Sequence, residues 1–221
     1  MSEAGFLLIS DPAIRAVPVM ECHEPLVDIR EFDIRVSSAR ASFYHGFAFV
    51  RLTVAAKLAE AARLLPPGYS FLFSEGHRPI SLQRQMFEEY CTELQRQQAN
   101  WDRATIEREA TKFIASPDDV PPHSTGGAID LTILDAQGLE LDMGSILDDI
   151  PDQIDNLHFT SAASISAEGK INRQLLIDVL TQVGFVNYPA EWWHWSYGDK
   201  YWAYHTQQVH AIYDSTELTS V

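Results

Sequence analysis

Three side chains in this chain of 221 residues have the types and spacing of a metal site: His123 and Asp130 in PPHSTGGAIDLT (121–132), and His194 in EWWHW (191–195). Zinc in hydrolases is commonly held by three ligands drawn from His, Asp, Glu or Cys, with the fourth position left to water. Asp130 stands inside the apolar run Ala-Ile-Asp-Leu-Thr-Ile-Leu. An unmet polar group there costs about 2–7 kcal/mol on the harsher scales, and an unmet charge costs more. A cation shared with two imidazoles would be its partner. Gly126 and Gly127 let the backbone turn tightly between His123 and the strand, so both side chains can face one point.

Two further residues complete a hydrolytic chemistry. Glu191 precedes His194 by three positions and can take the proton of a water that zinc acidifies to a pKa of about 7. Residues three apart point to opposite faces of a flat strand, so the chain has to bend, or the strand has to begin, between Glu191 and His194. Pro189 just upstream fits a late start. Arg78, in EGHRP (75–79), offers a fixed cation for the charge that develops on a carbonyl oxygen under attack, where one donor contributes about 3 kcal/mol. His77 beside it is read as incidental. Taken singly, each residue has a duller reading: Asp130 could pair with an arginine, His194 could pack among the tryptophans, and Arg78 could make a surface ion pair of little worth. Only the combination points to catalysis.

The elements that carry these residues follow from periodicity and punctuation. Phe49, Leu52, Ala56, Leu58 and Leu65 predict a helix over 47–65, ended by Pro66-Pro67-Gly68. The aromatic run 69–74 predicts a strand that delivers EGHRP at its end, and after Pro79 the four-residue steps of Leu82, Met86, Tyr90 and Leu94 predict a helix. A further helix is expected over 101–114. Residues 128–134 read as a strand with 139–141 as a hairpin partner, 144–168 as mostly loop, and 168–183 as an amphipathic helix stopped by Gly184. Strands are expected at 185–188 and 191–196. Helices first and strands later predict an α+β fold with helices packed on a central antiparallel sheet, one domain over 1–221. Residues 1–25, irregular in character to about 40 with Pro12, Pro18 and Pro25, form a leader, and 205–221 form a C-terminal tail.

Composition sets the outer limits. With 46% hydrophobic and 21% charged residues, the chain can bury a substantial core. Its 31 acids against 16 bases give a formal charge of −15, a field that repels phosphate backbones and anionic lipid, so neither nucleic acid nor membrane is expected as a partner. No apolar run reaches the roughly 18 residues of a membrane span. The first residues lack the pattern of a secretory signal, and a cytoplasmic location is the expectation. Cys22 and Cys91 lie far apart and read as reduced thiols in packing positions.

The stretches EGHRP, PHSTGGAIDLT, LDMGSILD and EWWHW, in this order, resemble the zinc D-alanyl-D-alanine dipeptidases of the VanX type, within the wider family of D-Ala-D-Ala carboxypeptidases and related peptidoglycan peptidases. The family pattern S-x-H-x-x-G-x-A-x-D, followed later by E-x-x-H, falls on His123, Gly126, Ala128, Asp130, Glu191 and His194, and the likeness extends from about residue 25 to 204. The resemblance implies one zinc ion per chain on His123, Asp130 and His194, Glu191 as catalytic base, Arg78 as stabiliser of the tetrahedral intermediate, and a small dipeptide as substrate. It also implies that Asp148 receives the substrate's free amino group. One position departs: the serine expected two residues before the first histidine is Pro121.

Three other readings stay open at this level. A carboxypeptidase or endopeptidase of the peptidoglycan stem peptide would use the same residues. Two histidines and a carboxylate also describe a non-haem iron oxygenase, although such sites usually place His and Asp two apart. The tryptophans around His194 could instead make a carbohydrate-binding module without catalysis.

Overall fold

The structure is a computed structural model that describes residues 5–41, 44–148 and 156–218. In chain order its elements are α1 (Pro12–Arg15), β1 (Leu26–Asp28), β2 (Arg35–Val36), β3 (Phe49–Arg51), α2 (Leu52–Ala62), β4 (Ser70–Glu75), α3 (Ile80–Gln97) and α4 (Arg103–Ala110). Then follow β5 (Ala128–Leu134), α5 (Ala167–Gln182), β6 (Val186–Asn187), β7 (His194–Ser196) and α6 (Lys200–His205). Short 3-10 turns occupy Ile29–Phe32, His45–Ala48 and Pro122–Thr125.

One five-stranded sheet runs β2-β4-β5-β7-β6, and β1 pairs with β3 in a separate two-stranded ribbon. The sheet is mixed, because β2 runs parallel to β4 while the remaining pairs are antiparallel. This corrects the expectation of a purely antiparallel sheet. The two residues Arg35 and Val36 have no periodicity to announce them, and only the tertiary contact with Leu72 and Phe73 makes them a strand. The α+β architecture stands.

β5 is central because its sequence permits nothing else. All seven residues of Ala-Ile-Asp-Leu-Thr-Ile-Leu are buried, and an apolar run flanked on both sides by partners is what a fully covered strand requires. Phe71 and Phe73 of β4, Ile129, Leu131 and Ile133 of β5, and Trp193 and Trp195 join Val54 and Leu58 of α2 and Leu176, Val179 and Leu180 of α5 in the main core. Each fully buried Leu or Val side chain contributes about 1.5–3 kcal/mol. Ser166 caps α5 by accepting from the Gly169 amide at 2.9 Å, and Asp102 caps α4 by accepting from Thr105 at 2.8 Å. A smaller core of Phe87, Cys91, Ile106 and Ala110 welds α3 to α4.

The expected helix over 47–65 begins late. His45–Ala48 is a 3-10 turn and Phe49–Arg51 is strand, because these residues meet β1 edge to edge; the helix itself spans Leu52–Ala62. Residues 139–141 return beside β5 after a turn at 136–138 and make a single bridge, Leu134 to Glu140, rather than a strand. Within 144–168, residues 149–155 lie outside the described residues; the described remainder is turn and irregular chain up to Ser166. The leader and the tail meet: Val19 bridges Ala211, and Met20 donates to the Ala211 carbonyl at 2.9 Å.

Candidate metal centre and active site

Three neighbouring strands bring the polar residues into one row across the sheet. Glu75 of β4 is the cross-strand partner of Asp130 of β5, and Asp130 is the partner of His194 of β7. A register shift between Phe73 and Glu75 re-aims the end of β4, a common device beside functional sites. The objection to Glu191 and His194 sharing a site dissolves here. β7 starts at His194, and Glu191 lies in a turn where its amide donates to Tyr188 and the His194 amide donates back to the Glu191 carbonyl.

His123 arrives from the turn Pro122–Thr125, which several bonds tie to the sheet. Its Nδ1 lies 2.8 Å from the Gly76 carbonyl, which can only accept, so Nδ1 carries the proton and the Nε2 lone pair faces the site. The Arg78 amide donates to the His123 carbonyl at 3.1 Å, and Arg51 donates through Nε to the Thr125 carbonyl at 2.7 Å. Gly126 ends the turn with φ of 72°, a left-handed conformation that favours glycine, and at Gly127 a Cβ would meet the Tyr197 carbonyl at 2.5 Å. Both glycines are therefore needed where the sequence places them. Val120, at the entrance to the turn, has φ of 57°, a costly conformation for a β-branched residue.

The three donors converge. Asp130 places Oδ2 3.3 Å from His123 Nε2 and Oδ1 3.1 Å from His194 Nδ1, and the two imidazole nitrogens lie 3.2 Å apart. One donor atom from each residue falls within 4.8 Å of the others, and all three side chains are buried. Burial alone would raise the pKa of Asp130, but its contacts with the His123 and His194 imidazoles outweigh it and hold the carboxyl below its ordinary range. Two imidazoles and one carboxylate, buried and facing a common point, are a donor set suited to zinc. His77, read as incidental, points elsewhere: its Nε2 donates to the Thr216 carbonyl at 2.8 Å and anchors the C-terminal segment.

Glu191 borders the metal set, with Oε2 3.7 Å from His194 Nδ1. Burial, aided by the nearby charges of Asp130 and Asp148, pushes its pKa up to about 7. Arg78 donates through Nε to Glu75 at 2.5 Å and through Nη1 to Gln83 at 2.9 Å, which fixes the guanidinium plane. The Glu75 charge outweighs burial and raises the pKa of Arg78, so it stays a cation. Asp148 accepts from Arg40 at 2.8 Å. Glu191, Arg78, Arg40 and Asp148, with His123, Asp130 and His194, line one cavity of about 790 Å³.

Glu75, Arg40 and Tyr44 had no role in the sequence reading. Glu75 is fully buried, and it accepts from Tyr44 at 2.5 Å and pairs with Arg40 at 3.1 Å as well as with Arg78. Its signal was the one that exposed Asp130, an acid at the end of an apolar strand.

A family model described as D-ala-D-ala dipeptidase, of the peptidase M15 family, matches residues 46–214. The chain belongs to this family. It is a zinc-dependent metallopeptidase acting on a small peptide substrate, and the His123, Asp130 and His194 triad accounts for one zinc ion per chain. The metallopeptidase is 29% identical over 223 aligned residues to a D-alanyl-D-alanine dipeptidase of Synechocystis, covering 88% of this chain and 90% of that one. It is 40% identical over 72 residues to a D-alanyl-D-alanine dipeptidase of Escherichia coli, covering 33% and 35% of the two chains. Among solved structures it aligns with the LdcB LD-carboxypeptidase at 20% identity and a TM-score of 0.49, covering 85% of this chain and 76% of that one. The tryptophans around His194 are wall and core, not a platform: Trp192, Trp193 and Trp195 are each 2% exposed or less.

Proposed function

We propose that this metallopeptidase is a dipeptidase of the VanX type, hydrolysing D-alanyl-D-alanine or a closely related dipeptide. The observation that carries this reading is the placement of Glu191 3.7 Å from a ligand of the buried triad, in a cavity that also presents Arg78 and Asp148. His123, Asp130 and His194 would hold the zinc ion, which supplies Lewis acidity toward water and the scissile carbonyl.

The chain's own groups divide the remaining work. Glu191, at the border of the metal set, accepts the proton of the attacking water at its carboxylate. As the new C–O bond forms, negative charge grows on the carbonyl oxygen, and Arg78, held in plane by Glu75 and Gln83, stabilises it. Glu191 then hands its proton to the leaving amine as the C–N bond breaks. Asp148 receives the free amino group of the dipeptide. Its φ of 63° is a sparsely populated conformation of the kind found at ligand-holding positions, and its carboxylate lines the cavity. Pro121, which also lines the cavity, supplies no hydroxyl to that amine.

The test is Glu191→Gln. Loss of a positioned general base lowers kcat by roughly 10²–10⁴, while zinc content measured on the same sample stays at one per chain. Undiminished turnover in the zinc-loaded variant would remove Glu191 from proton transfer.

A further inference from the structure

The cavity is larger and more apolar than two alanines require. Its volume of about 790 Å³ lies in the upper part of the range, roughly 300–1,000 Å³, that encloses drug-sized ligands. The polar groups already assigned gather around the metal set. Another part of the lining is Phe6, Leu8, Ile9, Met86, Phe113 and Phe159.

This wall is built, and it reaches the metal centre. Phe6 packs edge-on against Phe159, with ring centroids 5.3 Å apart, and against Tyr188 at 6.3 Å. Tyr188 in turn packs edge-on against the ligand His194 at 5.7 Å. Leu8 and Ile9 join the small core formed by Ile14, Tyr188 and Tyr201, which fixes the strap of residues 6–9 over the cavity. His158, beside Phe159, is 7% exposed, and burial with the charge of Arg173 lowers its pKa, so the wall carries a neutral imidazole. Pro121 adds one more apolar surface.

We propose that the preferred substrate is a dipeptide bearing one large apolar side chain, which packs against the wall of Phe6, Leu8, Ile9 and Phe159 next to His194. The proposal rests on the dipeptidase reading above and narrows its substrate class. Each methylene added in an apolar pocket is worth roughly 10–200-fold in selectivity, so a leucine or phenylalanine in place of one alanine should be felt strongly.

The experiment compares kcat/KM of the zinc-loaded enzyme on D-Ala-D-Ala, D-Ala-D-Leu, D-Leu-D-Ala, D-Ala-D-Phe and D-Phe-D-Ala, and on a stem tetrapeptide ending in D-Ala. At least one bulky dipeptide is expected to exceed D-Ala-D-Ala by about tenfold or more. Phe6→Ala should narrow that ratio mainly through KM, and Phe6→Trp, which fills the space, should invert it. D-Ala-D-Ala as the best substrate of the wild type, or ratios unmoved in both variants, would overturn the proposal and leave the dipeptidase reading intact. Cleavage of the tetrapeptide with no dipeptide cut would overturn both.

Discussion

Asp130 of β5 and His194 of β7 are direct cross-strand partners, with Oδ1 of the one 3.1 Å from Nδ1 of the other. Two of the three metal donors are thus spaced by the backbone hydrogen bonds of a sheet. The third, His123, is pinned by the Gly76 carbonyl at the end of the neighbouring strand. The centre inherits its geometry from the most buried part of the fold.

His123→Ala, Asp130→Ala and His194→Ala should each weaken zinc binding by more than the roughly 10–100-fold that outer partners of metal ligands control. Metal content after dialysis against a weak chelator, measured beside the wild type, checks this. Full zinc occupancy in any of the three would exclude that residue from the ligand set.

Glu75→Gln tests the anchor of the cationic side of the site. The change leaves Arg78 and Arg40 without their shared carboxylate, and removing one member of a buried ion pair costs about 3–5 kcal/mol. The urea midpoint should fall accordingly, and kcat should fall with it because Arg78 loses its fixed plane. A variant of wild-type stability and turnover would show that Gln83 alone orients Arg78.

Two carboxylates give the acid limb of stability opposite slopes. Burial works to raise the pKa of Glu75, but the guanidinium charges of Arg78 and Arg40, with His123 close by, prevail and hold it at about 2, below its ordinary 4.5. Between those values the folded state binds fewer protons than the unfolded one, so the contribution of Glu75 is complete above pH 4.5 and is lost as pH falls toward 2. Asp148 behaves in the reverse sense. Burial, with the charges of Asp130 and Glu75, lifts it from 3.8 to about 6 against the pull of Arg40, so folding binds extra protons there and this contribution declines as pH rises through that interval. Urea midpoints measured across both windows should show Glu75→Gln flattening the lower one and Asp148→Asn the upper one.

Pro121→Ser restores a hydroxyl at the position where the family pattern has one. The φ of −59° at Pro121 is open to serine, so the fold should be unaffected. A hydrogen bond to a charged amine is worth about 1.5–3 kcal/mol, and KM for D-Ala-D-Ala should drop by about tenfold. An unchanged KM would place residue 121 outside the amino-end pocket.

Much of the site was legible because its residues break local rules. An acid inside a buried strand demands a partner, a pair of glycines after a histidine marks a tight turn, and a glutamate three residues from a second histidine points back to the same place. The parts that stayed hidden depend on contacts distant in sequence. Arg40 lies in irregular chain and meets Glu75 and Asp148 only after folding, and β2 exists only beside β4. The helix expected from residue 47 lost its first residues to the ribbon with β1, a tertiary pairing that overrides local periodicity. Phe6, Leu8 and Ile9 read as part of a leader, and nothing nearby in the sequence announces that they line the same cavity as Tyr188 and His194.

The attachment of the His123 turn to Gly76 and Arg51 has a consequence for how the enzyme can be handled. An ion entering this centre does not have to gather its ligands from a disordered chain, because folding has already brought them together. Stripped enzyme should therefore keep its shape, and cobalt, cadmium or zinc should exchange at the same seat without a refolding step, leaving spectroscopically visible ions as faithful reporters of the native centre.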